Sequence, residues 1–161
     1  MIRIGLDMDE VLDDFMGAYI KRYGITPSNV ITRNVRKLSK DKDFWMNLTK
    51  LRNIDFIPEL YCSKRIIPKS WSKEWLKNNG FPIRPFYQLY CQYDNKARLI
   101  KGRVDVFVDD SISNFEGLNK EGVPCLLMDC PYNQGYETPL RLFSLTRGEI
   151  ENLYYKECLK K

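Results

Sequence analysis

Two short apolar runs in this chain each end on a pair of aspartates, and that arrangement limits the folds open to it. Residues 2–6 lead into Asp7 and Asp9, and residues 104–108 lead into Asp109 and Asp110. A short apolar run rich in β-branched residues reads as a strand buried on both faces, as in a parallel sheet. Carboxylates gathered at such strand ends repel one another, and one of them has its pKa raised unless a cation neutralises the group. The chain therefore has to bring these acids to one edge of a sheet where a cation or its equivalent can reach them.

The remaining pattern supplies that sheet. Further strands are expected at 60–62, 86–91 and 124–129. Helices are expected at 11–23, 43–51, 70–82, 95–101 and 112–121, with a last one running from Pro139 or Arg147 to the C-terminus. Gly24, Gly80, Gly102 and Gly122 stand where four of them stop. Strands alternating with helices predict an α/β fold: a Rossmann-like five-stranded parallel sheet flanked by helices. The helical segments between the first two strands exceed what a simple crossover needs. They are read as a small helical cap spanning 15–56, inserted after the first strand into a core made of 1–14 and 57–161.

Composition removes several chemistries. The chain has no histidine, which excludes Ser-His-Asp and Cys-His catalysis and most zinc sites. Its five cysteines are odd in number and lack CxxC spacing, so no disulfide framework is expected, and a reducing cytoplasm fits. No apolar run approaches membrane-spanning length, and no signal-peptide core opens the chain. The net charge of +5, from 26 basic and 21 acidic residues, suits anionic ligands without selecting one. The densest basic run, 33–42, contains acids and no aromatics, so it is read as solvated surface rather than a nucleic-acid patch.

In open parallel sheets the ligand lies beyond the carboxyl ends of the strands. Asp7 and Asp9 follow the first strand there, and Ser63, Lys64 and Arg65 the second. "QYDNK" with Lys96 follows the third, Asp109 and Asp110 the fourth, and Asp129 the fifth. Oxygen ligands without histidine favour Mg²⁺ over zinc. Lys96 falls in the first turn of its helix, where the macrodipole disfavours a cation, so an anion is expected in front of it. Lys101, in the last turn, has the ordinary dipole explanation.

Taken in order, "IGLDMDEV", "LYCSKR", "YDNKARL" and "DVFVDD" resemble the four motifs of the haloacid dehalogenase superfamily of phosphatases. "DMDEVLDDF", "WSKEWLKNNGFP" and "DVFVDDSISNFEGLNKEGVPCLLMDCPYN" are similar to the 5′(3′)-deoxyribonucleotidases and their bacterial and phage relatives. The likeness covers nearly the whole chain outside the cap. It implies Asp7 as nucleophile, Asp9 as acid and base, and Ser63 and Lys96 as phosphate ligands. Mg²⁺ would be held by the Asp7 carboxylate, the Asp9 main-chain carbonyl and an acid of the Asp109 and Asp110 pair. The implied partner is a small-molecule nucleotide, and nucleic acid is not expected. Phe15, Tyr19, Phe44 and Trp45 either offer a base a stacking face or form the cap's own core. Asp13 and Asp14 are read as first-turn helix acids. The link at 51–62 is too short for the helix usual there, a departure that leaves the cap boundary open. The rival readings are a phosphatase of sugar phosphates or of nucleic-acid 3′-phosphate ends, a receiver-like phosphoacceptor, and a non-catalytic phosphate-binding module. The sequence carries no sign of oligomeric state.

Overall fold

A computed structural model describes residues 1–90 and 94–159. Its sheet contains β1 (Ile4–Leu6), β2 (Leu60–Lys64), β3 (Phe86–Leu89), β4 (Val106–Asp109), β5 (Cys125–Met128) and β6 (Arg141–Leu142). All neighbours pair parallel, in the order β3-β2-β1-β4-β5-β6. Helices α1 (Phe15–Tyr23), α2 (Ser28–Leu38) and α3 (Lys42–Met46) form the insertion after β1. Helices α4 (Lys69–Asn78), α5 (Ala97–Ile100), α6 (Ile112–Lys120) and α7 (Arg147–Leu153) complete the core. This is a Rossmann-like sheet with a helical cap, and β6 adds a sixth, two-residue strand that is too short to show a period in sequence.

The strands alternate as their burial demands. Ile4, Leu6, Val106, Val108, Leu126 and Met128 pack on one face of the sheet, and Leu60, Cys62, Phe107, Cys125 and Leu127 on the other. Gly5 permits this packing. A Cβ there would lie 2.7 Å from the Phe107 ring and 2.9 Å from Val104 Cγ1. Register sets the site: Leu6 lies opposite Val108, and the Asp7 N–H donates to the Val108 carbonyl at 3.0 Å. Asp7 and Asp109 therefore leave adjacent central strands at the same level.

Several element limits differ from expectation for identifiable reasons. The first helix begins at Phe15, because the preceding loop curls on itself. The N–H groups of Val11, Leu12 and Asp13 all reach the Met8 carbonyl, and Glu10 adopts φ 61°. Asp14 caps α1, accepting from the Gly17 N–H at 2.8 Å. Helix α2 was not expected. Its buried positions are Asn34 and Leu38, with Ile31 packing alongside, and no side chain caps its start at Pro27, so both sequence signals are weak. Helix α3 stops at Met46 because the chain runs on in extended fashion, with Asp14 N–H bonded to Thr49 O and Leu51 N–H to Leu12 O. The last helix starts at Arg147 behind the Thr146 cap, not at Pro139. Residues 51–59 hold no helix, as their length required. Cys91, the expected end of the third strand, lies outside the described residues, as do Gln92 and Tyr93 of the third motif.

The cap does not carry a separate core. Tyr19, Leu38, Trp45 and Leu48 belong to one buried cluster with Leu12, Trp75 and the strand residues of the same face. The Trp75 indole N–H donates to the Leu48 carbonyl at 3.0 Å, tying α4 to the chain leaving α3.

Candidate active site

Three carboxylates converge where β1 and β4 end. Asp7, Asp109 and Asp110 are buried, and each offers an oxygen within 4.8 Å of the others. The two oxygens of Asp109 are committed: Oδ2 receives Lys96 Nζ at 2.6 Å, and Oδ1 accepts the Ser111 N–H at 3.0 Å and Asn114 Nδ2 at 3.2 Å. The Asp110 carboxylate meets its own backbone N–H. Asp7 Oδ1 sits 3.0 Å from Lys96 Nζ in an ion pair but has no hydrogen-bond donor in good geometry. The Lys96 ammonium pairs with Asp7 and Asp109 and Lys64 also acts on those two, but three crowded carboxylates still repel one another when all are ionised. Burial first, then Asp109 and Asp9, pushes the Asp7 carboxyl up to about 6, although Lys96 pulls the other way. Burial and the neighbouring Asp109 and Asp7 raise Asp110 well above the carboxylate range. An all-oxygen, buried, over-charged cluster with an unfilled acceptor fits a divalent cation.

The anion expected in front of Lys96 is the protein's own. Lys96 is not in the first turn but the residue before it, the N-cap of the short α5, with its ammonium buried between Asp7 and Asp109. Burial opposes its charge, but the two carboxylates outweigh that cost and raise its pKa. Ser63, on β2, is 1% exposed, and its hydroxyl has no hydrogen-bond partner. A buried hydroxyl left unmatched costs about 1–3 kcal/mol, so a ligand oxygen there would recover a real loss. Lys101 lies elsewhere, exposed, and donates to the Glu121 carbonyl at 2.6 Å.

Asp9 is separate from the triad and belongs to a second network. Arg65, fully buried behind the end of β2, reaches Asp9 Oδ1 with Nη2 at 2.5 Å and with Nε at 3.1 Å. The same guanidinium pairs with Asp13 and donates to Ser72 Oγ at 3.3 Å. Asp13 is thus not a first-turn helix acid. It lies before α1, entirely buried, where the curled loop turns it toward Arg65. Sequence reasoning placed Arg65 after the second strand but gave it no task. The signal was indirect, since five acids in the eight residues 7–14 need more than one cation. Glu10 is also buried; burial pushes its carboxyl up to about 7, while its Oε1 accepts the Met16 N–H at 2.6 Å. Arg52 clamps the same loop from the 51–59 link, donating to the carbonyls of Glu10, Val11 and Asp129.

Between cap and core lies a cleft of about 380 Å³ with Asp9 in its wall. Phe15 and Trp45 from the cap line it, stacked 5.4 Å apart, together with Tyr90 from the core. Arg36 and Lys64 add positive charge. Tyr19 is placed differently: it is completely buried, and its hydroxyl bonds Thr26 Oγ1 at 2.6 Å and Asn34 Nδ2 at 3.0 Å. Its position calls for a role inside the cap, joining α1 to α2, and not for substrate contact. Phe44 packs edge-on against Phe15 and Trp45 and does not line the cleft.

No known family, curated protein or solved structure matches the chain. The fold and the buried triad together suggest the haloacid dehalogenase superfamily of phosphatases in general, without singling out a branch. They are consistent with hydrolysis through an aspartyl-phosphate and with a bound divalent metal. No helix among the described residues is long and apolar enough to cross a membrane.

Proposed function

We propose that the protein is a Mg²⁺-dependent phosphomonoesterase acting on nucleoside 5′-monophosphates, deoxypyrimidine forms foremost, through an aspartyl-phosphate. The observation that carries this reading is the cleft: an aromatic-walled cavity of nucleoside scale with Asp9, two residues along the chain from Asp7 of the triad, in its wall. Its volume falls within the range of small-molecule sites. Residues 15–56 would act as the cap that encloses the leaving group. Asp7 would attack phosphorus, while Asp9 gives its proton to the departing ester oxygen and then takes one from the hydrolytic water. The Ser63 hydroxyl and Lys96 ammonium would hold the phosphoryl oxygens through transfer. The Asp7 and Asp110 carboxylates, with the Asp9 carbonyl, would hold Mg²⁺, which when bound shields the negative nucleophile from the negative substrate. Phe15 and Trp45 would offer the base its stacking face, with Tyr90 completing the wall. The free cysteines among the described residues support a reducing, cytoplasmic setting.

The test is hydrolysis of dTMP, dUMP, AMP, ribose 5-phosphate and a 3′-phosphorylated oligonucleotide, each with Mg²⁺ and with chelator. Stacking contributes about 1–3 kcal/mol per base. Nucleotides should therefore exceed ribose 5-phosphate about ten- to a hundredfold in kcat/KM. Equal rates with and without chelator would remove the metal. If ribose 5-phosphate matches the nucleotides, the base is not read. A winning oligonucleotide, which Arg36 and Lys64 would favour, makes the enzyme an end-processing phosphatase.

A further inference from the structure

The Asp9 carboxylate is held asymmetrically. Oδ1 receives two donors from Arg65, Nη2 at 2.5 Å and Nε at 3.1 Å, whereas Oδ2 takes from it the longer Nε contact at 3.3 Å, and the buried Asp13 carboxyl lies against the same group. The Asp9 side chain is 24% exposed and faces the cleft, while that of Arg65 is 1% exposed. We infer that Arg65 is a positioning residue for Asp9: it pins Oδ1 and leaves Oδ2 as the oxygen that handles protons in the cleft.

An arginine is useful as a guide only if it is itself rigid, and every part of this one is fixed. Its backbone N–H donates to the Leu89 carbonyl at 3.0 Å, and its carbonyl accepts Gln88 Nε2 at 3.0 Å, both from β3. Its guanidinium is anchored by Asp13 and Ser72 and lies 5.2 Å from the Trp45 ring centroid. The anchor depends on the curled loop, which brings Asp9 and Asp13 side by side in an isolated bridge. One buried cation thus joins the proton-handling acid to the cap residue that walls the leaving-group cleft. A purely structural buried pair needs Asp13 alone. The extra grip on a carboxylate that faces the cleft is what a structural pair leaves unexplained.

The inference rests on the phosphatase reading, and the chemistry balances as follows. The bond from an Asp7 oxygen to phosphorus forms as the ester P–O bond breaks, and the proton on Asp9 Oδ2 goes to the leaving oxygen. Water then attacks phosphorus and gives its proton to Oδ2, and the Asp7–phosphorus bond breaks to release phosphate. A good leaving group needs no proton in the first step, whereas the second step always needs the base.

That difference supplies the test. Replacing both buried partners by apolar residues, Asp13→Leu with Arg65→Met, frees Asp9 without stranding a buried charge. Displacing a reacting group by about 1 Å costs about a hundredfold. With 4-nitrophenyl phosphate, the folded double variant should release a rapid burst of one nitrophenolate per chain. Turnover should then continue about a hundredfold slower than wild type, with phosphoprotein visible by intact mass. With dTMP it should lose about a hundredfold and show no burst. Arg65→Lys, which keeps the charge but not the two-point grip, should show the same pattern at about tenfold, and it decides the matter if the double variant does not fold. Wild-type rates on both substrates, or loss of the aryl burst in a folded variant, would overturn the proposal. A wild-type protein that hydrolyses neither ester overturns the phosphatase reading and this proposal with it.

Discussion

Lys96 shows how much one side chain can carry at this site. Its ammonium is ion-paired with both Asp7 and Asp109. Lys96→Ala removes a charge-assisted contact to the transferring group, worth about 2.7–4 kcal/mol. The expected result is a fall in kcat/KM of about a hundred- to a thousandfold. Lys101→Ala removes only an exposed bond to the Glu121 carbonyl and should be nearly neutral. The reverse ranking in a steady-state assay would show that the third motif is misplaced. Lys96 was legible from sequence because its position at the start of the helix conflicts with the dipole. Arg65 and Asp13 were not, because nothing in "CSKR" or "LDDF" says that a loop will curl and make them partners.

At the scale of elements, the cap divides its aromatics between two tasks. Tyr19 holds α1 to α2 through Thr26 and Asn34, whereas Phe15 and Trp45 turn toward the cleft. Helical spacing could not separate these tasks, since Phe15 and Tyr19 share a face of α1 and rings lie 6.1 Å apart. What separates them is α2, which the sequence concealed behind a basic run and an asparagine in its buried stripe. Tyr19→Phe leaves the buried Asn34 amide and the partly buried Thr26 hydroxyl short of a partner and should lower stability by about 1–3 kcal/mol, read from denaturant midpoints. Its kcat/KM for dTMP should hardly change. Phe15→Ala should do the opposite to specificity, reducing the preference for dTMP over ribose 5-phosphate by about tenfold. A Tyr19→Phe variant with lost specificity and intact stability would place the phenol in the cleft instead.

For the molecule as a whole, the buried acids set how stability depends on pH. Burial raises Asp7 from 3.8 to about 6 and Glu10 from 4.5 to about 7, and raises Asp110 as well. Groups whose folded pKa lies above the unfolded value take up protons on folding. Their contribution is fully present below the unfolded values and is lost as pH rises through about 6 to 7. The chain has no histidine to mask this window. In chelator, the urea midpoint should therefore be higher at pH 5.5 than at pH 8. Mg²⁺ should raise stability at pH 8 and shrink the difference, because a cation compensates the triad and leaves Glu10 and Asp13 as the raised carboxyls outside it. A flat profile in chelator, or one falling toward acid, would contradict the burial argument. The sequence by itself determined five of the six strands, their ends and the acids placed on them, because a short apolar run buried on both faces with a clear stop is a local pattern. Only the tertiary structure decided which acid meets which cation. Asp13 finds Arg65 across 52 residues, and Lys96 finds Asp7 across 89, through strand register and a curled loop. Such pairings cost nothing visible in the local pattern. They become obligatory only once burial removes the water that would otherwise solvate each charge.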